Sequence, residues 1–168
     1  MTSIDGDTRG HGLATYLNDH LAGSAAGLQL ARRIRDREGD TVFGRHLLEL
    51  VDQIEEDRAE LDRVMQRVGA TPNPVKRWSA LAAEHAWRLK QTLPTIGAGS
   101  AATARLQDVE LLSIGIEGKL LLWRVLGTLT GFEELRGFDF PSLEERALDQ
   151  RRMLERFRLE IAAGALAR

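Results

Sequence analysis

The residues that could carry chemistry in this chain are few and widely spaced. There are four histidines, His11, His20, His46 and His85, and no cysteine. The lack of cysteine removes thiol nucleophiles, disulfides, iron–sulfur clusters and cysteine-bound zinc. Imidazoles and carboxylates remain as metal ligands or proton carriers. On a helix they share one face when they stand three or four residues apart. Three residues before the histidines stand Thr8, Leu17, Phe43 and Ala82, so no Glu-x-x-His pair exists. A glycine-rich phosphate loop, a GxSxG elbow and an HExxH motif are equally absent from the sequence. Asp19 precedes His20 and Glu84 precedes His85. Neighbours on a helix point about 100° apart, so neither pair is a dyad.

The more informative residues are polar ones that interrupt apolar faces. His20 lies amid Leu13, Leu17, Ser24, Leu28 and Ala31 at helical spacing. Asp57 and Arg58 fill the places between Ile54 and Leu61 where apolar residues are expected. The stretch 104–130 is apolar nearly all round, with a thin stripe of Glu110, Ser113, Glu117, Arg124 and Thr128. Gln150 stands at a central position of the last amphipathic stretch. Counting equal steps either side of Gly39 sets His20 level with Arg58. The same count around Gly137 sets Arg124 level with Gln150, and Glu117 level with Phe157. His20, Asp57, Arg58, Glu117 and Gln150 thus form a candidate core polar cluster for a ligand or a metal. The plainer alternative is a hydrogen-bonded core histidine, Asp57 and Arg58 reaching water at a boundary, and a stripe that is the solvent edge of its helix.

Long helices must position these residues. Residues 1–10 are expected to be flexible, and 11–168 to form one helical domain. A first helix is predicted from about Gly12 to Glu38, ended by Gly39. A second begins at Asp40 or Thr41, both good N-caps, and stops at Gly69. A shorter helix is predicted over 74–92, with Trp78, Leu81, Ala82, His85 and Leu89 inward. A Pro/Gly/Ser-rich crossover over 92–103 follows. The central helix is expected over 104–130. Phe132, Phe138 and Phe140 in the next link are expected to fold back as a lid. Ser142, with Glu145 three residues later, reads as a capping box opening the last helix. That helix should bury Leu143, Ala147, Gln150, Leu154, Phe157 and Ile161. No alternating run reads as a strand.

The 168 residues carry a formal charge of −2 with acids and bases interspersed, so no basic face suggests nucleic acid. Charges interrupt the most apolar stretch, and the N-terminus lacks the apolar core of a signal peptide. These features point to a cytoplasmic chain without membrane association.

Two long helices, a crossover and a second long pair resemble the ferritin-like superfamily, and the chain is similar to a divergent bacterial member of it over residues 11–165. The resemblance implies an all-α, antiparallel four-helix bundle with one additional short helix. It also implies a di-metal site built from two carboxylates and two Glu-x-x-His pairs. This sequence departs from that set. A glutamate in 55-EEDR is followed three residues later by Arg58, a cation that would repel iron. The expectation is a bundle without an intact di-metal site, in a structural, protein-interaction or ligand-binding role. The alternative is an iron- or manganese-binding oxidoreductase or storage protein with a non-standard site. No cofactor is predicted. A homo-oligomer, most simply a dimer, and a small apolar ligand are the expected partners.

Overall fold

A computed structural model describes residues 4–72, 101–129 and 131–166. The predicted helix over 74–92 and nearly all of the crossover lie outside them. The described residues are helical, with no strand among them: α1 (Ile4–Glu38), α2 (Val42–Arg67), α3 (Ala101–Thr128), a 3-10 turn (Glu133–Leu135) and α4 (Phe140–Leu166).

Local chemistry sets most of the boundaries. Thr41 is the N-cap of α2, its hydroxyl accepting from the Gly44 amide at 3.0 Å. Gly69 turns the chain out of α2 at φ +68°, a conformation that suits glycine. α1 begins at Ile4, ahead of the expected start at Gly12. No proline stands between those two positions, so the backbone ladder extends back through them. α4 begins at Phe140 and not at Ser142. The cap is Asp139, whose carboxylate accepts from the Ser142 amide at 3.1 Å. Pro141 in the first turn needs no donor of its own.

Between α1 and α2 the turn is tight. A Cβ on Gly44 would lie 1.9 Å from the Gly39 carbonyl oxygen, so close backbone contact requires glycine there.

Side-chain links fix the directions of the helices. Asn18 donates to the Thr71 carbonyl at 3.2 Å, which brings the end of α2 back beside the first half of α1. Arg105 grips Glu38 with two hydrogen bonds of 2.6 and 2.7 Å, and Arg37 pairs with Asp108 at 2.7 Å. The start of α3 therefore sits at the end of α1, and α3 runs in the same direction as α2. Pro72 and Ala101 stand at opposite ends of the molecule. α4 returns antiparallel along α3.

The core falls into two apolar clusters. One gathers Leu28, Ile34, Phe43, Leu47, Leu112, Ile116, Leu154 and Phe157. The other gathers Leu13, Leu17, Leu61, Met65, Trp123, Leu126 and Phe140. The outward face of α3 leaves Leu111, Ile114, Leu121 and Val125 exposed. The three phenylalanines of the α3–α4 link pack with the second cluster, Phe140 stacking on Trp123 with ring centroids 6.4 Å apart. They fold back over one end of the core, and none of them lines the cavity described below.

Candidate functional site

A polar layer lies between the two apolar clusters. Asp57 on α2 and Gln150 on α4 are each only 3 % exposed. Lys119 on α3 donates to the Asp57 carboxylate and to the Gln150 carbonyl. Arg146 on α4 takes the other Asp57 oxygen and reaches Glu56 at 2.9 Å. The Gln150 amide donates to Gln53 at 3.0 Å. A buried charge is tolerable when it is paired and its remaining hydrogen bonds are made, and both conditions hold for Asp57. Burial pushes the Lys119 ammonium below its ordinary range, Asp57 opposes that by charge and hydrogen bond, and Arg146 adds to the depression.

The cluster expected from the sequence is thus partly assembled. Asp57 and Gln150 meet through Lys119. Asp57 is fully buried, which corrects the reading of it as a boundary residue. His20 and Arg58 lie beside this layer, where both line one cavity with Asp57. Glu117 is not part of it. Its carboxylate pairs with Arg151 at 2.8 Å. Arg158 with Glu110 and Arg124 with Glu144, both at 3.2 Å, continue the same row. The charged residues of the α3 stripe therefore pair across its seam with α4, while Ser113 and Thr128 donate to the α3 carbonyls of Val109 and Val125.

Lys119, Arg146 and Gln53 carry no signal in the sequence that marks them as members of the layer. The count around Gly137 misplaces the register, because the α3–α4 link is not centred there. The helix ends Thr128 and Phe140 have their midpoint at residue 134. Counting from that point sets Lys119 level with Asp149, one residue from Gln150.

The donor chemistry here does not fit a metal pair. Among the described residues Asp57 is the carboxylate at the heart of the layer, and an ammonium and a guanidinium already occupy its oxygens. No three His, Asp or Glu side chains among the described residues are grouped to hold an ion.

Next to the layer is a cavity of about 550 Å³ between α1, α2 and α3. Its walls are mostly apolar, with Ile54, Leu61, Leu112 and Trp123 inside. It reaches the surface between α1 and α3, where Asp19, Gly23, Ile114 and Gly115 are exposed. Tyr16 and His20 stand on the α1 side, ring edge to ring face with centroids 4.5 Å apart. Burial holds the His20 imidazole below its ordinary range, with Asp19 opposing, which favours the neutral ring. The Trp123 indole N–H is buried without an acceptor among the described residues.

Four glycines line this cavity: Gly23 and Gly27 on α1, Gly115 and Gly118 on α3. All lie in helix interiors, where glycine costs roughly 0.5–1 kcal/mol relative to alanine. Packing among the described residues does not require them. A Cβ at any of the four would meet nothing within 4 Å among those residues, unlike one at Gly44. What the missing side chains leave is the open volume itself.

No family model, curated protein or solved structure matches this chain.

Proposed function

We propose that this chain is a ferritin-like bundle that has exchanged a metal site for a buried ion-pair layer, and that it binds a small, largely apolar molecule beside that layer. The helix order and the two parallel middle helices support the ferritin-like wiring. The observation that carries the function is the cavity of about 550 Å³ walled by glycines that no packing contact among the described residues demands. That volume lies within the usual range of ligand pockets, and such pockets combine apolar walls with a few polar groups. Tyr16, His20 and Arg58 supply such groups, and Asp19, Ser24, Asp57 and Lys119 also line the cavity.

Titration with Nile red, a neutral apolar dye, tests this reading. Saturable binding of one dye per chain is expected, with loss of binding in Gly27→Leu and Gly118→Leu chains of unchanged helicity. Absence of saturable binding, or equal binding by the filled variants, contradicts it.

A second role rests on a separate observation. Leu111, Ile114, Leu121 and Val125 stay exposed along one outward face of α3 at 42, 63, 48 and 41 %. Contiguous apolar faces on soluble proteins mark interaction surfaces. Homo-oligomerisation through this face predicts a mass above the chain's 18.7 kDa by light scattering, returning to one chain in Leu121→Glu. A monomeric wild-type chain removes that role and leaves ligand binding untouched.

A further inference from the structure

The charges around the cavity are not evenly satisfied. Lys119 is neutralised by Asp57, and Arg146 by Asp57 and Glu56. Arg58, half-buried on α2, lines the cavity and makes no ion pair among the described residues. Its neighbours on α2 do not serve it: Glu55 is taken by Arg32 at 2.5 Å. Asp62 makes no ion pair among the described residues, and neither does Asp19, an exposed residue at the cavity rim. Burial favours the neutral form of His20 beside it. The cavity therefore combines a large apolar wall with a guanidinium that has no counter-ion among the described residues. A guanidinium binds a carboxylate through two parallel N–H donors, a geometry that an ammonium cannot offer.

We infer that the ligand is an anionic amphiphile, an apolar body carrying a carboxylate, with the body in the glycine-walled cavity and the carboxylate on Arg58. This rests on the cavity reading above and adds the head group to it. Lys119 does not compete for the carboxylate, because Asp57 and Gln150 hold its ammonium within the layer.

A dansyl-tagged undecanoic acid and its methyl ester separate the two claims. Wild-type chain is expected to bind the acid roughly tenfold more tightly than the ester, the ratio that one charge-assisted bidentate contact supplies. Arg58→Met should bring the ratio to about one by weakening the acid, with ester binding unchanged. Arg58→Lys should restore only part of the preference. Arg63→Met, an exposed site outside the cavity lining, should keep the full ratio. Equal affinities in the wild type overturn the inference. So does a preference that survives Arg58→Met, or one that falls as much in Arg63→Met. If the ester and the acid both fail to bind, the cavity reading falls and this inference falls with it. If both bind equally, the cavity reading stands and only the head group is wrong.

Discussion

Lys119 and Asp57, on different helices and 62 residues apart in sequence, form an ion pair at the level where the apolar core is interrupted. Asp57 is the hub, since it also accepts from Arg146. Asp57→Asn would leave two cations facing a neutral amide. Breaking a buried pair from one side costs about 3–5 kcal/mol. Urea denaturation should show that loss in Asp57→Asn, and much less in Asp57→Leu combined with Lys119→Met. Equal losses in the two would show that the pair is not a closed unit.

His20 gives the chain a pH dependence with a definite sign. Its folded-state pKa lies below the ordinary 6.5, from burial first and against the pull of Asp19. As pH drops below 6.5 the unfolded chain takes up the proton before the folded one does. The unfolded state then binds more protons, and stability falls as pH falls through that window. Well above 6.5, where the imidazole is neutral in both states, the contribution is flat. Comparing urea midpoints at about pH 7.5 and about pH 5.5 should show a larger loss for wild type than for His20→Gln. Identical losses contradict the partial burial of His20 in the cavity wall.

The glycines divide into two kinds with opposite responses. Gly23→Ala and Gly27→Ala should each raise stability by about 0.5–1 kcal/mol, because the helix gains and no described residue is crowded. Gly44→Ala should lower it, because its Cβ would run into the Gly39 carbonyl. Thermal unfolding of the three single variants checks both signs. A destabilised Gly23→Ala chain would mean that α1 and α3 close on each other there.

Much of the architecture is legible in the sequence. Thr41 and Gly69 bound α2 because a hydroxyl cap and a left-handed turn are local chemistry. The apolar faces are legible because helical period is a local property: Leu143, Ala147, Gln150, Leu154, Phe157 and Ile161 are all buried. The site is harder to read, because it depends on register between helices. An error of three residues in the turn centre puts Arg124 where Lys119 stands. Nor does any count place Glu117 correctly in a core cluster, since it faces Arg151. Ion pairing across a seam leaves no periodic trace that distinguishes it from a solvent edge. The cavity is legible only as glycines at helical spacing, and the sequence cannot say whether such glycines admit a neighbouring helix or leave a space.

The most direct test of the account is thermal unfolding of wild type and of the Gly27→Leu/Gly118→Leu double variant, each with and without Nile red. Without dye, the filled variant should melt at or above the wild-type temperature. With dye, the wild-type Tm should rise by mass action while that of the variant stays fixed. A filled variant that melts well below wild type, or a dye-induced rise of the same size in both chains, would contradict a cavity kept open for a ligand.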